Sequence, residues 1–270
     1  MSAQSTSTSG IIRNEAAKPH VVAVMNRLAN KLKPSLCQVI YNNCHGTGAL
    51  IALPISISQT VKSFVTCHHV LGSNDPAEIY KMKLIFESES MKMVRLVPEW
   101  YSLVWNSSDQ YYDVTVIEFN EQGTAALNKL GAEFLLVDKP FVGQRVVMFQ
   151  YPDNDLLPNV ELSFDANIIE SITKCDEINK INYIIYHIGA EGGSSGSPIL
   201  TYDCKVVGVH RRRVKSQPTS VASITHGINV ESKPTLEQTL GFERHASDIT
   251  QVITAFAAYR SRCKLLDLSR

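Results

Sequence analysis

Gly192-Gly193-Ser194-Ser195-Gly196-Ser197-Pro198 sets small hydroxyl residues in a glycine-flanked bend, with apolar Ile199-Leu200 following. A side-chain nucleophile needs such a bend: its hydroxyl must stand exposed while neighbouring backbone N–H groups converge on a developing oxyanion. Glycines permit that backbone path because they tolerate positive φ and close approach. A Gly/Ser-rich loop alone also describes a plain turn, so the partners decide. Phe64-Val65-Thr66-Cys67-His68-His69-Val70-Leu71 is an apolar run ending at two histidines, which predicts a strand delivering imidazoles at its end. Tyr112-Asp113-Val114-Thr115-Val116-Ile117-Glu118-Phe119 puts an aspartate at the head of a β-branched strand. Base, acid and hydroxyl thus follow one another in the order His, Asp, Ser.

These three segments resemble the chymotrypsin-like (trypsin-fold) peptidases, in which a T-x-x-H-V element carries the base, D-[IV]-x-[LV] the orienting acid and G-x-S-G-[GS]-P the nucleophile. Two further stretches carry the resemblance toward non-secreted, HtrA-like members. Gly46-Thr47-Gly48-Ala49-Leu50-Ile51 is similar to the strand preceding the base, and Val142 to Pro152 to the lead-in of the second barrel. Val206-Val207-Gly208-Val209-His210 is similar to a strand of glutamyl endopeptidases and viral 3C-like proteases. The resemblance covers roughly residues 36 to 235, and ordered elements at compatible spacing are far more specific than any one of them.

The resemblance implies an all-β fold: a double antiparallel β-barrel with an N-terminal helix and a C-terminal helix. It implies Ser195 as nucleophile, His69 as general base and Asp113 as the residue orienting His69, with the N–H groups of Gly193 and Ser195 as oxyanion hole. Motif position favours His69 over His68, Asp113 over Asp109, and Ser195 over Ser194 and Ser197. It also implies an S1 pocket walled by His210, Arg213 and His226 with Gly189 at its base. A cationic wall favours an acidic or amide side chain at P1, because a carboxylate accepts charge-assisted hydrogen bonds. Strand alternation could instead turn two of Arg211, Arg212 and Arg213 to solvent. Zymogen-type members carry an Asp before the nucleophile; Ser194 stands there, so the site is expected to form without N-terminal cleavage.

Composition narrows the classes. Lys plus Arg and Asp plus Glu number 26 each, so no bulk field draws the chain to nucleic acid or anionic membrane. No apolar run reaches the length of about 18 residues that a membrane-spanning helix needs. The polar start Met1-Ser2-Ala3-Gln4-Ser5 lacks a signal-peptide core. Six cysteines without a C-x-x-C pair argue against structural zinc. They read as reduced thiols of a cytoplasmic or nuclear protein, with disulfides kept open by the even count. No cofactor and no metal are expected, and the expected partner is a protein or peptide substrate.

Along the chain, residues 1–35 read as a disordered tail and a helix over 19–32, with Val21, Met25, Leu28 and Leu32 on one face and Pro34 stopping it. Residues 36–140 read as the first barrel, with strands at 36–41, 47–53, 62–67, 80–86, 92–97 and 113–119 and a bridge at 120–140. Residues 141–235 read as the second, with strands near 144–150, 160–170, 181–188, 198–201, 205–210 and 224–230. Residues 236–270 read as a C-terminal segment with a helix over 247–262, its apolar face Ile249, Val252, Ile253 and Phe256. The leading reading is a serine endopeptidase acting through an acyl-enzyme. The alternatives are a catalytically idle scaffold of the same fold and a processing protease of viral-polyprotein type.

Overall fold

The computed structural model describes residues 19–71, 73, 75–87, 93–107, 112–152, 162–175, 181–186, 188, 190, 192–215 and 242–268. Helix α1 (Pro19–Leu32) leads into β1 (Leu36–Tyr41), β2 (Cys44–Pro54) and β3 (Thr60–Cys67). Then come α2 (His68–Leu71), α3 (Pro76–Lys81), β4 (Lys83–Phe86), β5 (Met93–Arg95), a 3₁₀ turn at Pro98–Trp100, β6 (Tyr101–Ser107) and β7 (Val114–Phe119). These strands form one antiparallel sheet in the order β5-β4-β1-β2-β3-β7-β6. Helix α4 (Glu121–Lys129) precedes β8 (Arg145–Gln150), β9 (Ser163–Cys175), β10 (Ile181–Tyr186), β11 (Pro198–Leu200), β12 (Val206–Lys215) and β13 (Phe242–Asp248), and α5 (Ile249–Leu268) closes the chain. Strands β10-β13-β12-β11-β8-β9 close into a second barrel. The two curled sheets and their flanking helices make the double-barrel, trypsin-like architecture.

Local chemistry accounts for most elements. Strands β1 and β7 are buried along nearly their whole length, as expected for apolar runs with protein on both faces. The strand expected from residue 80 starts later, because Asp75 caps a helix first: its carboxylate accepts from the Ala77 N–H at 2.9 Å, and Pro76 occupies the first turn. The bridge over 120–140 holds helix α4, capped by Asn120, whose side chain accepts from the Gly123 N–H at 2.9 Å. Strand β6, absent from the sequence expectation, pairs with β7. The strand expected at 224–230 lies outside the described residues. The last strand of the second barrel is β13, which pairs with both β10 and β12.

Each sheet has its own apolar cluster, and a third spans both. Met25 and Leu32 of α1, Val65 and Val116 of the first sheet, Phe149, Leu200 and Val206 of the second, and Ile249, Val252, Ile253 and Phe256 of α5 belong to it. The face predicted for α5 is thus its buried face. On α1 the outer member Val21 is exposed instead, because the helix meets the core only through its later turns. The segment after α4 is stitched to both sheets. Leu135 bridges Ile51 and Val137 bridges Val206, with Leu135 donating to Leu50 O at 2.9 Å and Asp138 to Val206 O at 2.8 Å.

A largely buried ion pair ties α5 to the first sheet. Arg260 Nε and Nη2 donate to the two carboxylate oxygens of Glu118 at 2.7 and 2.9 Å. Removing one member of such a pair strands the other charge. Arg260→Met is therefore expected to destabilise the protein by about 3 kcal/mol or more, while Glu118→Leu/Arg260→Met recovers most of the loss. Urea denaturation of the single and double variants checks this; a loss below about 1 kcal/mol for Arg260→Met would place the pair with weak surface bridges.

Candidate functional site

Strand β3 ends at Cys67, and the next residues turn into the one-turn helix α2, so His68 and His69 diverge by helical rotation rather than by strand alternation. The His69 side chain is 44% exposed and faces Asp113, which is buried at 2%. Its Nδ1 lies 2.7 Å from Asp113 Oδ2, and its backbone N–H donates to Asp113 Oδ1 at 3.0 Å. The N–H of His68 donates to the carbonyl of Asp113 at 3.0 Å. Asp113 stands just before β7 with φ of +50°, a left-handed conformation that a β-branched residue avoids and aspartate tolerates. Both carboxylate oxygens are engaged by the same residue, which fixes the imidazole with Nδ1 toward the acid and Nε2 away from it.

The Gly193–Ser197 bend belongs to the second barrel but is bolted to the first. Thr47, fully buried on β2, donates its N–H to Ser195 O at 2.8 Å and its hydroxyl to Gly193 O at 2.9 Å. The same hydroxyl accepts from the Tyr151 N–H at 3.0 Å. Gly193 and Gly196 have φ of +84° and +88°, which turns the chain sharply on each side of Ser195. A Cβ on Gly196 would lie 2.2 Å from Thr47 O and 2.4 Å from Thr66 Oγ1, so glycine is required there by space as well as by conformation. Ser197 donates its N–H to Ser194 O at 3.0 Å, closing the bend. Of the three serines, Ser194 and Ser197 are buried and Ser195 is partly exposed. Among the described residues the N–H groups of Gly193 and Ser195 donate no hydrogen bond, and none joins Ser195 to His69. A nucleophile–base bond is commonly long before substrate binds.

A Cβ on Gly46 would strike the Val70 side chain at 2.7 Å and Ser195 O at 3.0 Å. The residue beside His69 and the backbone of Ser195 therefore both pack against Gly46. A second tie crosses the barrels at the acid: Ser247 Oγ on β13 donates to Tyr112 O at 2.6 Å, one residue before Asp113.

The expected S1 residues fare unevenly. His210 is buried on β12, directly behind the bend: Gly196 donates to its carbonyl at 2.9 Å, and its N–H donates to Ser197 O at 2.8 Å. Its Nδ1 lies 2.5 Å from Tyr186 OH, a partner on β10 that sequence reading passed over. Gly189 and His226 lie outside the described residues, as does the side chain of Arg213. Arg211 is not turned to solvent. It is buried at 2%, with its guanidinium 4.7 Å from the centre of the Tyr183 ring. The pairing of β12 with β13 slips between His210 and Arg212. Such a bulge suspends alternation and lets two successive side chains point inward.

Cys67 is fully buried and donates to His210 O at 3.0 Å. Burial pushes its thiol up, the Asp113 carboxylate adds to that, and the Arg211 guanidinium acts against both. Held protonated, the thiol does not compete as a nucleophile. Cys37, Cys44, Cys204 and Cys263 are also free thiols. Among the described residues no helix is long and apolar enough to cross a membrane.

A family model described as a trypsin-like peptidase domain matches residues 46–209, a span containing His69, Asp113 and Ser195. No curated protein matches the chain. Two solved structures share the fold. One is a mutant of Rv3671c from M. tuberculosis H37Rv in its inactive form, at TM-score 0.52 and 16% identity over 90% of this chain and 95% of that one. The other is the Rv3671c protease, also inactive, at TM-score 0.51 and 16% identity over 90% and 96%.

Gly196→Ala tests the bolt between the barrels. Gly143 has φ of +84° with open space around it, so Gly143→Ala should cost only the left-handed strain of about 1–2 kcal/mol. Gly196→Ala adds a collision with Thr47 and should cost clearly more. It should also speed hydrogen exchange of the Thr47 N–H, and equal exchange in the two variants would contradict the bolt.

Proposed function

The chain belongs to the trypsin-like peptidase domain family, and from that premise we propose that it is a serine endopeptidase whose triad is His69, Asp113 and Ser195. The observation that carries this reading is the pairing of a fixed His69–Asp113 couple with a Ser195 bend held against the strands that deliver the base.

In the proposed reaction, Ser195 Oγ attacks the scissile carbonyl while His69 Nε2 takes its proton. Asp113 holds the Nδ1 proton and stabilises the imidazolium that results. The N–H groups of Gly193 and Ser195, which have no protein acceptor among the described residues, receive the developing oxyanion. The protonated His69 then gives its proton to the leaving amine, the acyl-enzyme forms on Ser195, and water repeats the sequence in reverse. These steps need only water and the chain's own groups.

For the P1 side chain we retain an acidic or amide preference. Its support is His210, buried against the bend and oriented by Tyr186. The buried Arg211 adds positive charge nearby. The expected substrates are proteins or peptides with Glu, Asp or Gln at P1, and Gly189, Arg213 and His226 complete the proposed pocket.

Labelling with a fluorophosphonate probe tests the nucleophile. The wild-type chain should label and Ser195→Ala should not, while Asp113→Asn should slow hydrolysis by about four orders of magnitude. A well-folded wild-type chain that never labels would turn the reading to an idle scaffold of the fold. A peptide library then reads P1, and cleavage dominated by Phe, Leu or Arg would reject the acidic or amide pocket.

A further inference from the structure

Among the described residues, Cys67 offers a metal-ligating atom beside the His69–Asp113 couple that the proposed reaction does not use. Its sulfur, a ring nitrogen of His69 and a carboxylate oxygen of Asp113 all lie within 4.8 Å of one another. The fold sets this spacing. Cys67 ends β3, His69 follows two residues later in α2, and Asp113 heads the strand that pairs with β3, Cys67 opposite Val114. Thiolate, imidazole and carboxylate are the three donor types that zinc takes from proteins, and three protein donors leave a position for water. Asp113 Oδ1 is held by a backbone N–H, so Oδ2, facing Nδ1, is the oxygen available to a cation. Such a second hydrogen bond orients a ligand without consuming it.

We propose that Cys67, His69 and Asp113 form a binding site for a thiophilic divalent cation such as Zn²⁺, and that its occupancy switches off Ser195. The inhibition rests on the serine-peptidase reading; the binding does not. On binding, the cation bonds to Cys67 Sγ, His69 Nδ1 and Asp113 Oδ2. The thiol proton leaves to solvent, and the ring proton moves from Nδ1 to Nε2, so one proton is released per cation and nothing is oxidised or reduced. A neutral imidazole has a single lone pair. Once that pair is given to the cation at Nδ1, Nε2 is an N–H donor and cannot take the proton of Ser195. Catalysis and cation binding therefore demand opposite tautomers of one ring. With the cation bound, thiolate and carboxylate carry two negative charges, and burial beside Asp113, which holds the free thiol protonated, leaves it to the dication itself to draw off the thiol proton. The partly exposed His69 ring is the point of access to the buried sulfur.

The test uses the full chain and two readouts. Co²⁺ titration should give a thiolate-to-metal charge-transfer band that Zn²⁺ abolishes by competition. Saturating Zn²⁺ should slow fluorophosphonate labelling at least tenfold, reversed by a chelator. Cys67→Ser keeps a donor for His210 O and should label at the wild-type rate, with neither the band nor the Zn²⁺ sensitivity. His69→Ala, a change at a partly exposed position, should weaken Co²⁺ binding in a folded protein whatever the fate of Cys67→Ser. No band in the wild type, a band that persists in Cys67→Ser, Co²⁺ affinity unchanged in His69→Ala, or equal Zn²⁺ sensitivity of labelling with and without Cys67 would each overturn the proposal. A Cys67-dependent band in a chain that never labels would uphold the cation site and reject the peptidase reading.

Discussion

Thr47 is where the two halves of the molecule become one site. One buried residue on β2 uses its N–H and hydroxyl to hold the carbonyls of Ser195 and Gly193, and its hydroxyl also receives the N–H of Tyr151. Its carbonyl takes the Thr66 hydroxyl at 2.9 Å. The proposed base and acid, His69 and Asp113, come from the first sheet and the serine bend from the second. A buried polar cluster of this kind is stable only when its members are paired, so the inter-barrel register is set by hydrogen-bond geometry as well as by apolar contact. The apolar part comes from the shared core, to which α1, both sheets and α5 contribute.

Asp113 is held from both sides. Its carboxylate and carbonyl bind the His68–His69 turn, and the preceding residue is tied by Ser247 to the second barrel. At the other end of β7, Glu118 receives Arg260. The strand that delivers Asp113 is thereby fixed at each end by elements remote from it in sequence. This fits the general requirement that reacting groups be held by packing and a supporting layer of hydrogen bonds rather than by their own torsions.

Much of this was legible in the chain because it is local. Glycines and serines at fixed offsets, one apolar run that ends in His and another that Asp heads, and the periodicity of α1 and α5 are each written within a few residues. What escaped depends on distant partners or on competition between local signals. The capping carboxylate of Asp75 overrode a strand-like run, and the bulge in β12, which strand alternation does not foresee, puts Arg211 in the interior. Tyr186 stands in a strand the sequence does predict, yet nothing in its neighbours says that its hydroxyl meets His210. Thr47 lay inside a recognised motif, but its four partners come from residues 66, 151, 193 and 195.

The linker Leu135–Asp138 bears on motion. Hydrogen-bonded in parallel fashion to β2 on one side and β12 on the other, it is a splint rather than a hinge. Two barrels joined by a free tether could rock about the cleft between them, whereas here rocking would have to break backbone bonds to both sheets at once. Conformational adjustment around Ser195 is therefore confined to side chains and short bends, which relax in nanoseconds to microseconds, rather than to whole-domain swings on the slower microsecond-to-millisecond scale.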